Sequence, residues 1–408
     1  MKICDIVQFY SPLSGGVKRY IHDKQRFISA RKDSEHLLIV PSDRDTHRAE
    51  GRIHTYEIKS PRLIGSRSYR MRLRGRRMEE IIRAEKPDLI EVGDPYYCAW
   101  VAARIGHKLN IPVVAFYHSD YPRALDRTLR RFAGPVAEHL LALPIRNYLL
   151  NLYNRMDSTI VATRRLRRQL EKLGIRGLVQ IPLGTDTDVF RPRSIRRELL
   201  HELGLEPDTL LLLYAGRLAR EKNIREMLAM MEHLHHDNRA YHLIVVGDGE
   251  LHQAVREAQR DRSDVTWLPH LDSADMLAEL YSSVDLLIHA GTCETFGIVS
   301  LEAQACGTRV VAVQNGGLDE TLEGEPFPVF AAAASPYELS RAVRTAGRLH
   351  EPPETRLHRR QRIIDDFSWE NTYARLFDLY ENMCKKRRAR STATAAGRAV
   401  CGSAVYAG

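Results

Sequence analysis

The chain has 408 residues, a formal net charge of +9, and 44% hydrophobic and 28% charged residues. That length is about twice a usual domain and the composition is globular, so two cored domains are expected and a disordered or collagenous chain is excluded. No apolar run reaches the roughly 18 residues that span a bilayer. The six cysteines have no CxxC or Cys/His ligand spacing, which excludes a disulfide framework or zinc finger and fits a reduced, cytoplasmic protein.

In chain order, Ile3–Phe9 reads as a first strand rather than a signal peptide, because Asp5 interrupts it and no cleavage-like site follows. Ser14-Gly15-Gly16 then turns into a helix that ends near Ala30. Further strands are expected at His36–Val40, Ile53–Ile58, Pro87–Val92, Val113–His118 and Ser158–Ala162. Helices are expected at Met78–Ala84 and Ala99–Lys108, with another over Val136–Met156 interrupted at Pro144. A second series has strands at Leu210–Tyr214, His242–Val246, Val265–Trp267, Asp285–His289 and Arg309–Val313. Its helices fill Ile224–His233, Leu251–Gln259, Ala274–Tyr281 and Ile298–Ala305.

Near-continuous apolar strands alternating with helices imply parallel sheets covered on both faces. The fold class is therefore α/β, with two doubly wound, Rossmann-like domains. The first takes residues 1–185 and the second 186–365, joined through the turn-rich segment Pro182 to Pro192. An amphipathic helix over 366–384 is expected to pack back on the first domain through Trp369, Tyr373, Leu376, Phe377 and Tyr380. The basic and small-residue tail 385–408 has no core-forming pattern and is expected to be disordered.

Ligands of doubly wound sheets bind at the carboxyl ends of strands, beside helix N-termini. The richest such place is His289 to Gly307, where a strand ends, a loop carries Glu294, and a helix beginning near Gly297 carries Glu302. Its N-terminal N–H groups would face an anion such as a phosphate. Eight helical steps between the two carboxylates would rise roughly 12 Å, against about 5–5.5 Å for a retaining glycosidase pair. That spacing suits two ends of an elongated ligand, not one scissile bond. The second place is Gly216 to Asn223, where a glycine opens a strand into a basic loop and Asn223 is read as the cap of the next helix. Arg217 and Lys222 can reach one anion, by fork and by point charge.

In the first half, Gly15-Gly16 permits a close backbone approach or is an ordinary turn. His118 and Asp120 follow another strand. Val246 to Glu250 is a glycine turn without GxGxxG, so a nicotinamide site is unsupported. Asp186 and Asp188 have DxD spacing but sit in a turn, where aspartates cap; no metal is assigned. Arg67–Arg77 carries six arginines, Arg123–Arg131 and Arg164–Arg168 four each, and Lys385–Arg390 five basic residues. Such clusters are either solvated helix faces or attract an anionic membrane surface. No RNP, homeodomain or finger pattern supports nucleic acid.

Glu294 and Glu302, the run Gly216 to Asn223, and Pro182 to Asp186 with Phe190 to Pro192 resemble the retaining glycosyltransferase family 4, as do Gly316-Gly317 with Glu320 and Phe367 to Trp369. The resemblance extends from Gly15 to the Trp369 helix and implies the GT-B architecture, two such domains facing across a cleft. It implies that Glu302 binds ribose, Glu294 the transferred sugar, and Arg217 with Lys222 the diphosphate. The backbone of Phe296, Gly297 and Ile298, with Thr295, Val299 and Gly216, would line the donor, and His270 and Leu271 would flank the base. Gly16 would approach the diphosphate, His118 would face the reacting sugar, and Gly15, Val17, Asp120 and Tyr121 would meet the acceptor. The His118-to-Pro122 form is similar to lipid-directed mannosyl- and sulfoquinovosyltransferase members.

The activity so implied is transfer of a hexose from GDP-mannose or a UDP-hexose to an acceptor hydroxyl of a lipid, glycan or small molecule. The resemblance implies retention, no cofactor and no metal, with His118, Arg217, Lys222 and Glu294 at the chemistry. The location implied is cytoplasmic, with peripheral attachment at the inner membrane face as a further option. A non-hydrolysing sugar-nucleotide epimerase and a non-catalytic membrane-surface scaffold are the alternatives.

Overall fold

A computed structural model describes residues 1–8, 10, 16–62, 70, 74–118, 143–193, 196–269, 271 and 273–403. Its contacts divide the chain into two units, Met1–Ile181 with Tyr373–Gly408, and Pro182–Thr372. The division therefore falls at Ile181, four residues before the expected boundary.

The first unit holds β1 (Lys2–Ile6), β2 (Glu35–Ser42), β3 (Thr46–Glu50), β4 (Ile53–Lys59), β5 (Leu89–Val92), β6 (Val113–Tyr117), β7 (Ser158–Val161) and β8 (Leu178–Gln180). They form one sheet in the order β3-β4-β2-β1-β5-β6-β7-β8. All neighbours are parallel except β3 and β4, which are antiparallel. Its helices are α1 (Gly16–Ala30), α2 (Gly75–Glu85), α3 (Tyr97–Leu109), α4 over 143–153 and α5 (Arg164–Leu173). The core strands carry Val, Ile, Leu and Ala almost throughout, because both faces are covered.

The second unit holds β9 (Leu210–Ala215), β10 (Tyr241–Val246), β11 (Val265–Leu268), β12 (Leu286–His289), β13 (Arg309–Val313) and β14 (Val329–Ala331), all parallel, in the order β11-β10-β9-β12-β13-β14. Its helices are α6 (Arg196–Glu202), α7 (Ile224–Leu234), α8 (His252–Asp261), α9 (Ala274–Ser283), α10 (Ile298–Ala305), α11 (Pro336–Arg348) and α12 (Pro353–Phe367), and α13 runs from Trp369 to Ser403. Both sheets start in the middle and reverse direction once, between β1 and β5 and between β9 and β12. The two Rossmann-like domains are thus present, and each has a switch point where such sheets bind ligands.

Three short strands depart from the expectation. β3 is polar and exposed along most of its length, so no apolar alternation marks it. β8 and β14 have three residues each, too few to show a period. The chain beyond 385, expected to be disordered, continues α13 as helix to Ser403. Lys, Arg and Ala are strong helix formers, and extending a helix that already exists needs no new nucleus.

In the first unit the residues of α13 from Tyr373 onward pack on α1. Tyr373 donates its hydroxyl to the Tyr20 carbonyl at 2.7 Å, and Phe27 lies 5.3 Å from Phe377 between ring centres. Beneath them Lys24, fully buried, reaches Asp5 at 2.9 Å and Glu91 at 3.0 Å. His36 joins Asp5 at 2.9 Å, while Tyr20 and Tyr380 donate to Glu91. Burial by itself would raise the Asp5 carboxyl, but Lys24 and His36 pull it down to about 2. Removing the cation would strand two buried carboxylates. Lys24→Met is therefore expected to cost about 3–5 kcal/mol, read as a lowered midpoint in urea unfolding. An unchanged midpoint would show that the network adds no stability.

Candidate active site

The second sheet's switch point lies between β9 and β12, and the two richest sequence segments leave those two strands. Their loops close on neighbouring loops through glycines. Gly247, after β10, has φ +135°, and a Cβ there would collide with the Gly216 carbonyl oxygen. Gly317, after β13, has φ +110°, and a Cβ there would collide with the Glu294 carbonyl oxygen. The Glu294 N–H donates to the Gly316 carbonyl at 3.0 Å, which fixes the backbone from which its carboxylate extends.

Lys222, at the end of a 3-10 turn after Gly216, forms an ion pair with Glu294. His289, the last residue of β12, places Nε2 3.1 Å from the same Glu294 oxygen. Its ring is only 3% exposed. Burial first, and then the Lys222 charge, push the imidazole down to about 3, so it is neutral and can donate Nε2–H to the carboxylate. Asn223 occupies the cap position of α7 as expected, but its side chain makes no capping bond. It sits in the left-handed region at φ 53° and donates its amide to the Ala290 carbonyl at 2.7 Å, tying the β9 loop to the β12 loop.

Glu302 is 1% exposed inside α10 and accepts from the Tyr281 hydroxyl of α9 at 3.2 Å. A solvated helix carboxylate is thus ruled out for it. α10 begins after Gly297, which has no side chain to cap the first turn. The Ile298 and Val299 N–H groups there offer a positive helix end to an anion. Phe296 is buried against Phe367, with ring centres 6.1 Å apart, and Thr295 is half-buried. Arg217 is instead well exposed and pairs with Glu221 at 2.7 Å. Leu271, beyond β11, is half-buried.

In the first unit, His118 follows β6 directly. Its ring stacks on Phe116 at 4.1 Å and meets the edge of Tyr20 at 5.1 Å. Burial and then Lys24 push it down to about 3, so it too is neutral. Gly16 and Val17 open α1. Gly15, Asp120, Tyr121 and His270 lie outside the described residues. Asp186 accepts from the Asp188 and Val189 N–H groups, a turn-capping use. Among the described residues, no metal-spaced group of three His, Cys, Asp or Glu occurs at the β9–β12 edge. No helix there is long and apolar enough to cross a membrane.

Two family models match consecutive parts of this chain: "Glycosyltransferase Family 4" over residues 14–189 and "Glycosyl transferases group 1" over residues 195–356. The chain belongs to glycosyltransferase family 4. The glycosyltransferase is 25% identical to a GDP-mannose-dependent alpha-(1-6)-phosphatidylinositol dimannoside mannosyltransferase of Mycobacterium tuberculosis, over 96% of this chain and 99% of that one. It is 24% identical to an alpha-monoglucosyldiacylglycerol synthase of Streptococcus pneumoniae, over 93% of this chain and 85% of that one. Its fold matches the sucrose-phosphate synthase of Thermosynechococcus elongatus with a TM-score of 0.71 at 20% identity, covering 94% of this chain and 99% of that one. The GT-B fold is thereby established for this glycosyltransferase.

His289 was legible as a strand end but not as a partner of Glu294. In the unfolded chain its imidazole takes a proton near pH 6.5, whereas in the folded unit it does so only near pH 3. Between those values the unfolded chain binds more protons, so stability falls as pH drops below 6.5. At pH 5.5 this one group removes about 1.4 kcal/mol relative to neutral pH. Urea unfolding at pH 7.5 and 5.5 is expected to show a loss smaller by that amount in His289→Gln. Equal losses in the variant and the parent would mean that His289 titrates as in an open chain.

Proposed function

We propose that this glycosyltransferase transfers a hexose, with retention and without a metal, from GDP-mannose or a UDP-hexose to a hydroxyl of a lipid or lipid-linked glycan. The observation that carries the reading is the grouping of Lys222, Glu294 and neutral His289 beside the α10 N-terminus, at the switch point of the second sheet. A leaving diphosphate develops negative charge, and a lysine, an arginine and a helix N-terminus supply the opposing charge in place of a divalent ion. The roles given by resemblance follow: Lys222 and Arg217 on the diphosphate, Glu302 on ribose, and Glu294 on the sugar.

His289 is the addition. As a neutral donor to Glu294 it would hold that carboxylate in one orientation while keeping it ionised. By the same resemblance, the favoured course is same-face attack, in which the leaving phosphate takes the acceptor's proton. In the first unit, His118, Gly16 and Val17 keep the roles that resemblance assigns them, His118 as a neutral imidazole. A lipid acceptor is favoured because two relatives matched over more than nine-tenths of this chain are named for phosphatidylinositol dimannoside and diacylglycerol products or acceptors.

Transfer is to be measured with radiolabelled GDP-mannose and UDP-glucose against phosphatidylinositol mannoside and diacylglycerol vesicles. Incorporation into one lipid, undiminished by excess EDTA, is the expected result. Transfer to neither lipid while a soluble sugar is glycosylated would sink the lipid reading, and full loss restored by Mg²⁺ would sink the metal-free one. In the same assay Lys222→Ala is expected to lower kcat by roughly 10²-fold or more, the scale of losing a transition-state charge partner. Unchanged turnover would remove Lys222 from the chemistry.

A further inference from the structure

The outer edge of the first sheet carries a side-chain cluster that the transfer reaction does not use. In the β3–β4 ladder His47 faces Tyr56 and Ala49 faces His54. Successive strand residues alternate between faces, so His47, Ala49, His54 and Tyr56 share one face and the two histidines are diagonal neighbours. Their rings lie 5.7 Å apart and are nearly parallel at 15°. Glu85, the last residue of α2, reaches the same face, where the Tyr56 hydroxyl donates to its Oε1 at 2.6 Å.

One ligand atom each from His47, His54 and Glu85 lies within 4.8 Å of the other two. Zinc bonds of about 2.0–2.2 Å place tetrahedral ligands about 3.4 Å apart, so modest side-chain rotations close the set. His47 is exposed, which leaves the group open to solvent. His54 keeps Nδ1 buried with no hydrogen-bond partner, a ring nitrogen for which the fold itself has no use. The carboxylate is also prepared. Lys2 donates to its Oε2 at 2.8 Å and Tyr56 to its Oε1, so both oxygens are held in place. Metal-bound carboxylates are commonly oriented by such outer partners. The Lys2 charge opposes a cation, yet Lys2 is shared between Glu85 at 2.8 Å and Glu35 at 3.1 Å.

We propose that His47, His54 and Glu85 bind one divalent transition ion, Zn²⁺ by ligand chemistry, which clamps the β3–β4 hairpin to the end of α2. Two imidazoles select a borderline ion over Mg²⁺ or Ca²⁺, and three protein ligands leave one position for water. The site lies on strands other than those carrying the proposed donor residues, so it stands or falls apart from the transfer reaction.

The test is calorimetric titration of the chelator-stripped full chain with ZnSO₄ at pH 7.5. One saturable equivalent is expected, with a higher melting temperature for the zinc-bound chain. His47→Ala and His54→Ala should each weaken uptake roughly 100-fold, and Tyr56→Phe roughly 10-fold through the loss of an outer partner. Matching melting temperatures of the metal-free variants and the metal-free parent establish that the fold is kept. No saturable zinc uptake by the parent, or the same equivalent bound by the His47→Ala/His54→Ala double variant, overturns the site.

Discussion

Everything at the carboxyl edge of the second sheet depends on backbones approaching too closely for side chains to intervene. Gly247 sits against the Gly216 carbonyl and Gly317 against the Glu294 carbonyl, both at backbone angles that L side chains rarely adopt. These contacts seat the β10 loop on the chain leaving β9 and the β13 loop on the chain leaving β12, and those two chains flank the switch point. There a lysine from one reaches a glutamate from the other, and Asn223 bridges to Ala290. A side chain at Gly247 would press on the backbone that leads to Lys222, and one at Gly317 on the backbone that carries Glu294.

The two units use buried lysines differently. Lys24 is fully enclosed between Asp5 and Glu91, with tyrosines and a histidine completing the network. A cation so enclosed is bound up with the packing of α1 and α13, not with a ligand. Lys222 and Glu294 each retain 17% exposure. Their pair lies at the edge of the sheet, beside a helix whose first turn has no side-chain cap. Partial exposure is what permits a charge pair to exchange partners, since the desolvation cost has not been met in full. The neutral imidazole of His289 adds a hydrogen bond without adding a second cation.

Much of the fold was legible because parallel strands buried on both faces are written as apolar runs, as in Leu210 to Tyr214 and Arg309 to Val313. Glycine turns after those runs and the Glu294 and Glu302 segment likewise stand out in one dimension, and they carry the family resemblance. The polar strand Thr46–Glu50 was not legible, because its order comes from pairing with β4 and not from burial. Helix beyond 385 was missed for a related reason: no core-forming pattern marks it in the sequence, and it continues a helix already formed.

The sequence by itself determined most element types, the strand-end segments that carry the site, and the family, since each depends on local periodicity or on residues close along the chain. The strand order that makes the switch points came from the tertiary structure. Tertiary structure alone decided the partners. Lys222 and Glu294 are 72 residues apart, and nothing local indicates that they form an ion pair. Asn223 reads as a helix cap until a carbonyl 67 residues away is brought within reach. His289 ends a strand like any other residue until burial neutralises it beside Glu294. Charge state and partnership depend on which groups share a dry space, and that is settled only when the loops close.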